Sequence, residues 1–86
     1  MKTIWKTALN IEAKQTIRIP MDWKPLCIQV QWSVATMWFS CDSEQLMCNV
    51  DIFCVGTGQE IPKEAVTYLG TVQNATLVWH FFTRLV

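Results

Sequence analysis

The sequence has little charge and lacks the segments that direct a chain to a membrane or to nucleic acid. Only 16% of its residues are charged, and seven basic residues balance seven acidic ones to a net charge of zero. Non-specific nucleic-acid binding needs a basic surface, so this function class is disfavoured. No apolar run reaches the length of a membrane span, and no long apolar stretch follows the basic residue near the amino terminus. We therefore expect a cytosolic protein that binds neither membranes nor non-specific nucleic acid.

Motifs for metal binding and catalysis are also missing. The four cysteines, Cys27, Cys41, Cys48 and Cys54, lack the CxxC pairing that zinc sites use. In a reducing cytosol we expect them to be small buried hydrophobes, with a disulfide or a metal site as the alternatives. The carboxylates fall mostly in loops without a hydrolytic or magnesium motif, and no serine lies in a nucleophile elbow. The sequence therefore predicts a protein that is not an enzyme and needs no metal or cofactor.

The chain is instead rich in apolar surface. Hydrophobic residues make up 51% of it and include five tryptophans. That is more than the thin core of a single domain spanning residues 1–86 usually requires. The surplus predicts an exposed apolar patch, and such patches usually mark partner surfaces. A homo-oligomer is the expected use of this patch, and a monomer with a hydrophobic ligand groove is the alternative.

Apolar and polar residues alternate with the period of a β-strand through most of the chain. In the clearest example, Leu26, Ile28, Val30, Trp32 and Val34 share one face. The predicted strands are 2–10, 15–19, 26–34, 36–41, 47–55, 68–73 and 76–82, with one helical turn possible at 60–65. This spacing predicts an all-β fold, a small antiparallel sandwich or barrel of about six to seven strands with little helix.

The last two predicted strands form a hairpin that we expect to be buried on both faces. Leu77, Trp79 and Phe81 point to one face, and the other face is also largely apolar. One face should pack on the rest of the chain, and the other on the chain or on a second copy. The only histidine, His80, is expected to be a buried hydrogen-bonding residue, or a ligand or interface contact, rather than a general base. Gly70 lies within a strand and predicts a bulge or a tight contact with another backbone.

Two loops carry candidate binding residues. Trp23 lies between two prolines and is either a lid folded onto the core or an exposed anchor for a partner. Gly56, Thr57 and Gly58 interrupt the strand pattern. They form either a loop whose backbone donors cradle a phosphate or a simple strand exit.

Several segments taken together resemble a family of short proteins that are encoded by bacteriophages and prophages and have no assigned function. These segments are KTIWK at 2–6, IQVQ at 28–31, GTG at 56–58, YLGTVQ at 68–73 and LVWHF at 77–81. The likeness covers nearly the whole chain. Family members commonly have a Gly-His step after the GTG, whereas this chain has Gly58-Gln59, so a role of that histidine does not transfer. The resemblance implies expression in the cytoplasm of an infected bacterium.

In that setting, we expect a counter-defence protein that binds and sequesters a nucleotide-type host immune signal without catalysis. The candidate ligand contacts combine the glycine loop, the histidine, three cations and two glutamines that are either ligand contacts or ordinary solvent-facing residues. They are Arg18, Gln29, Gln31, Gly56, Thr57, Gly58, Lys63, His80 and Arg84. One alternative is an anti-CRISPR-like inhibitor that binds a host defence enzyme or nuclease, with Trp23 as its anchor. Another is an accessory phage structural protein.

Overall fold

Seven strands make up the fold, which confirms the predicted all-β class. The computed structural model describes residues 1–84. No helix occurs among them, and so none that is long and apolar enough to cross a membrane. The strands are β1 (Lys2–Ala8), β2 (Lys14–Pro20), β3 (Lys24–Gln31), β4 (Val34–Asp42), β5 (Met47–Gly56), β6 (Thr67–Asn74) and β7 (Leu77–Thr83). In place of the helical turn at 60–65 there is a single turn, closed by a hydrogen bond from the Ala65 N–H to the Pro62 carbonyl.

The strands form two sheets that pack face to face. One sheet has the order β1-β4-β3 and the other the order β2-β5-β7-β6, and all hydrogen-bonded neighbours are antiparallel. The core between the sheets includes Met37 and Phe39 of β4, Ile52 of β5 and Phe81 of β7. Fully burying a side chain of this size contributes about 1.5–3 kcal/mol, so this layer holds the sandwich together.

The connection between β5 and β6 crosses the outside of the four-stranded sheet. Both strands pair with β7, which lies between them, so β5 and β6 run parallel. Residues 57–66, called the crossover below, therefore pass over β7. The crossover ends where the Val66 N–H donates to the Thr83 carbonyl. Its position explains why Val55 is buried although it points away from the core.

The tight turn between β3 and β4 corrects one predicted strand. The strand expected over 26–34 ends before Trp32, because Trp32 and Ser33 form the turn with φ angles of 49° and 67°. Positive φ at both central residues is the type I′ geometry that suits a two-residue hairpin. Val34 consequently begins β4, and Trp32 is exposed instead of sharing the core face. The prediction was wrong because Trp-Ser carries none of the turn signal of Asn-Gly.

Trp23 packs as a lid on the core. Trp23 is only 5% exposed. Its backbone N–H donates to the Pro20 carbonyl in the loop between β2 and β3. The loop folds back because an indole buries a large apolar area when it reaches the core. The lid interpretation is confirmed, and the prediction of Trp23 as an exposed partner anchor is wrong.

A β-bulge lies at the glycine within β6. The register of β6 on β7 shifts between Tyr68 and Gly70. A Cβ added to Gly70 would come within 3.1 Å of the Cβ of Ile28 in β3. Both the predicted bulge and a tight contact are therefore present, although the contact is with a side chain of the other sheet rather than with a backbone.

The cysteines divide into two buried and two half-buried residues. All four are free thiols. Cys41 and Cys54 lie in the core, where burial raises the pKa of both thiols. These two residues act as small hydrophobes, the role that the sequence predicted for them.

Candidate ligand site at His80

His80 lies at the centre of a row of hydroxyl groups on the outer face of the four-stranded sheet. Its Nε2 is 2.8 Å from Thr57 Oγ1 in the crossover, and its Nδ1 is 2.9 Å from Thr71 Oγ1 in β6. Tyr68 extends the row, with its hydroxyl 2.6 Å from Thr71 Oγ1. Because Thr71 and His80 are directly opposite in the β6–β7 ladder, the sheet itself positions this pair.

The chemistry of this row favours hydrogen bonding over proton abstraction. A neutral imidazole donates from one nitrogen and accepts at the other, and a hydroxyl does either, so both ring nitrogens are satisfied in either tautomer. A threonine hydroxyl beside a histidine has the geometry of a nucleophile and its base. Triad-type sites, however, orient the histidine with a carboxylate that stabilises the imidazolium. Here Thr71, a neutral hydroxyl, holds that position.

A type II turn at residues 56–59 forms the wall beside His80. The Gln59 N–H donates to the Gly56 carbonyl at 3.0 Å, and Gly58 has the positive φ, 92°, that this turn requires at its third position. A Cβ on Gly56 would lie 3.2 Å from the ring of Trp79. Gly58 therefore permits the backbone conformation, and Gly56 permits the close approach of the indole.

The contacts within the turn argue against a phosphate cradle. The Gln59 side chain folds back so that its Oε1 accepts the Gly56 N–H at 2.7 Å. The N–H groups of Gly56 and Gln59 are thus both bonded inside the turn, and a cradle of the predicted kind would lose these two donors. The strand-exit interpretation accounts for the loop.

Two concavities flank the turn. One, of about 280 Å³, lies between the turn and the sheet, with Ile61, His80 and Phe82 in its wall. The other, of about 420 Å³, lies beside Trp79 at the start of β7. Apolar walls with a few polar groups are typical of small-molecule sites, and the first concavity is slightly smaller than their usual range of roughly 300–1,000 Å³.

Sequence comparison gives the chain a family. The family model described as Domain of unknown function (DUF7352) matches residues 1–85. The chain belongs to this family. The comparisons found no match among curated proteins or among solved structures. The description of the family assigns no activity to it.

Four of the nine predicted ligand residues meet at the smaller concavity of this DUF7352 chain. Gly56, Thr57, Gly58 and His80 all contribute to its wall. Lys63 is exposed further along the same crossover. The four residues of the wall are the part of the predicted set that a single ligand can contact at this concavity.

The two predicted arginines lie elsewhere on the same sheet. Arg84 Nε is 2.8 Å from Asp51 Oδ2, and its guanidinium lies over the ring of Phe53. Arg18 lies on the edge strand β2, which is two strands away from β7 in the sheet. The backbones of β2 and β7 are therefore about 10 Å apart. Neither arginine contributes to the wall of the concavity at His80.

Asp51 is the centre of the cluster that engages Arg84. Besides Arg84, it accepts a hydrogen bond from Thr16 Oγ1 at 3.0 Å and lies 3.9 Å from Lys14 Nζ. The hydrogen bond from Arg84, followed by that from Thr16, lowers the pKa of the Asp51 carboxyl. Lys14 and Arg84 also cover Phe53, which is buried although it faces outward. We interpret Arg84 as part of this structural cluster.

The two glutamines lie on the opposite side of the sandwich. Gln29 and Gln31 are on β3, opposite Thr36 and Val34 of β4, and face outward from the three-stranded sheet. Gln31 Oε1 accepts a hydrogen bond from Lys6 Nζ at 2.6 Å. They cannot contact a ligand at His80, and grouping them with that site was wrong because the sequence does not show which sheet a strand joins.

Thr71 and Tyr68 are the site residues that the sequence analysis missed. Strict alternation places positions 68 and 71 on opposite faces of a strand. The bulge shifts the register so that both side chains reach the outer face. Gly70 was the available signal, because glycine within a strand often marks a bulge. Within residues 1–84 there is no group of three or more His, Cys, Asp or Glu side chains that could hold a metal ion.

Proposed function

We propose that this protein is a non-catalytic binding protein that holds a small nucleotide-type ligand at His80. The observation that carries the proposal is the pair of contacts from both His80 ring nitrogens to the hydroxyls of Thr57 and Thr71, beside a concavity with apolar walls. A ligand that reaches this row meets hydroxyl groups that can both donate and accept hydrogen bonds. The partner of His80 Nδ1 is the neutral Thr71 hydroxyl rather than a carboxylate, which supports holding the ligand over cleaving it.

A nucleobase is the part of the ligand that suits the concavity. Phe82 and Ile61 offer apolar surface to a ring, and the Thr57 hydroxyl, which His80 holds in place, keeps a lone pair that can accept a hydrogen bond from the edge of the ring. Among the described residues that line this concavity there is no Asp, Glu, Lys or Arg, so a phosphate would extend out of it. Lys63, exposed on the crossover, is the cation that we assign to this phosphate.

The setting that we propose is a bacterium infected by a phage. The resemblance to phage-encoded proteins supports a counter-defence role in the host cytoplasm, in which the protein sequesters a nucleotide immune signal. A homo-oligomer suits this role because ligand pockets often lie between subunits. Tyr68 and Leu77 are exposed apolar side chains next to the two concavities, and we assign them to the contact between copies.

An inhibitor that binds a host defence enzyme is the second candidate function. It is favoured by Trp32, whose side chain is 86% exposed in the turn between β3 and β4. Trp32 replaces Trp23 as the anchor of such an inhibitor. Within the described residues, no feature singles out an accessory structural role in the phage particle.

The ligand is tested with a panel of cyclic dinucleotides, cyclic trinucleotides and ADP-ribose derivatives. Binding to the purified chain is measured by calorimetry. The protein is then heated, and the released compound is identified by mass spectrometry. Intact recovery supports sequestration, and cleaved products would identify an enzyme. The absence of binding across the panel would reject the nucleotide proposal and leave the inhibitor.

Variants locate the site once a ligand has been found. His80→Phe keeps an aromatic ring but removes both ring nitrogens, and we expect affinity to fall roughly tenfold or more. Lys63→Ala should weaken binding of a charged ligand and reduce its salt dependence. Gln29→Ala, on the opposite sheet, is the matched control and should bind like the wild type. Equal affinities for His80→Phe and the wild type would place the ligand elsewhere.

A further inference from the structure

Trp32 is the most exposed large apolar side chain among residues 1–84, at 86%. Its φ of 49° is uncommon for an aromatic residue, because the Cβ of an L-residue crowds the backbone in this region. Asn-Gly forms the same turn without that strain. Neither burial nor turn geometry therefore explains an indole here. Backbone outliers of this kind concentrate at ligand and partner sites.

Lys6 connects Trp32 to a wider apolar surface. Its Nζ lies 5.5 Å from the centroid of the Trp32 ring. The side chain separates two shallow concavities, one of about 280 Å³ beside Trp32 and one of about 500 Å³ beside Ile4 and Trp38. Ile4, Lys6 and Trp38 project outward from the three-stranded sheet. These three residues and Trp32 are called the Trp32 face below.

The surroundings of the Trp32 face are basic. Three lysines, Lys2, Lys6 and Lys24, point outward from the three-stranded sheet. Among the outward-facing residues of strands β1, β3 and β4, Asp42 is the single carboxylate. Asp42 and the loop residue Glu44 both pair with the Met1 ammonium, at 3.0 and 3.9 Å, and Lys2 pairs with Asp22 at 3.2 Å. Lys6 and Lys24 form no ion pair within residues 1–84. The face thus combines an exposed indole with Lys6, a cation that has no ion-pair partner among the described residues.

We infer that the Trp32 face binds an acidic segment of a partner protein, with Trp32 as the apolar anchor and Lys6 as the charged contact. A segment in which carboxylates alternate with apolar side chains complements both features. A second copy complements them less well, because a two-fold axis would bring this basic surface against itself. A nucleic-acid strand also fits less well, because the chain has zero net charge. The site goes beyond the proposed ligand function and lies on the opposite sheet from His80.

A random peptide library displayed on phage and selected on the immobilised full chain tests this inference. We expect enriched peptides to combine carboxylates with apolar residues. Trp32→Asn removes the indole while favouring the turn, and it should weaken binding of the synthesised peptides by about tenfold or more. Lys6→Glu should shift the selection towards basic peptides. Leu46→Asn removes another exposed apolar side chain, in the loop after β4, and is the matched control that should bind like the wild type.

Several results would overturn the inference. Enriched peptides without an acidic bias would do so, as would acidic peptides that bind Trp32→Asn and Lys6→Glu as tightly as the wild type. Oligothymidylate that binds the wild type but not Trp32→Asn would assign the face to single-stranded nucleic acid. A dimer in sedimentation experiments that Trp32→Asn abolishes would assign it to a second copy. Circular dichroism of each variant ensures that lost binding does not come from unfolding.

Discussion

Gly70 of β6 lies so close to Ile28 of β3 that an added Cβ would be 3.1 Å from the Cβ of Ile28. Ile28 is buried, and the contact joins the edges of the two sheets on one side of the sandwich. Both Cβ positions are fixed by the backbone, so rotation of a side chain cannot relieve the contact. The spacing of the sheets at this side therefore depends on the absence of a side chain at Gly70.

Gly70→Ala should destabilise the protein by about 1–3 kcal/mol, as overpacking of a core does. Denaturant unfolding at equilibrium measures the change. Ile28→Ala keeps the Cβ of the 3.1 Å contact but removes the Cγ1 and Cδ1 that an added Cβ would meet at 3.3 and 3.5 Å. The overpacking is thereby relieved in part, so the double variant should lose less stability than the sum of the two single variants. A neutral Gly70→Ala would show that the sheets separate easily at this edge.

Asp51→Asn should destabilise the protein at neutral pH but not in acid. The pKa of Asp51 is lowered in the folded state, chiefly by the hydrogen bond from Arg84. Its carboxylate therefore stabilises the fold above the unfolded pKa of about 3.9, and this contribution is lost as the pH falls through the folded value. Urea midpoints of the wild type and Asp51→Asn should accordingly converge at low pH. Glu60→Gln, an exposed change on the crossover, is the control, and a gap that stays constant with pH would contradict the prediction.

Trp32→Asn should raise the free energy of unfolding by about 0.5–1 kcal/mol, because asparagine adopts positive φ more readily than tryptophan. The exposed indole contributes little buried area, and its contact with Lys6 is lost equally in Trp32→Ala, so the gain is measured against that variant. Trp32→Ala removes the same ring but keeps the strained backbone, so it should show no gain. Thermal unfolding of the three proteins separates the two effects. Equal stabilities of the two variants would show that the turn is not strained.

The strands were predictable from the sequence because burial repeats every second residue in them. Met37, Phe39 and Cys41 show this in β4, where all three lie in the core. The turn at Trp32 and Ser33 was not predictable, because neither residue is typical of its type. The pairing of β5 with β7 was also not predictable, because it joins segments that are far apart in the sequence and no local pattern encodes it.

The candidate site was predictable only in part. His80 stood out as a histidine within an apolar strand, and Gly56 and Gly58 stood out as a break in the strand pattern. Thr71 did not, because the bulge that brings it opposite His80 changes the face on which it lies. Whether Trp23 is buried depends on how its loop folds back, which the composition of the loop leaves open.

The insertion of β7 between β5 and β6 imposes an order on folding. The four-stranded sheet cannot grow by adding strands in chain order, because β6 has no partner until β7 exists. Because a two-residue turn joins β6 to β7, we expect their hairpin to form first and then to dock onto β5 as one unit. This docking pairs residues that are 23 to 31 positions apart in the sequence, so we expect it to be slower than formation of the hairpin itself. The crossover then closes over β7, and the pocket at His80 is complete only when folding has finished.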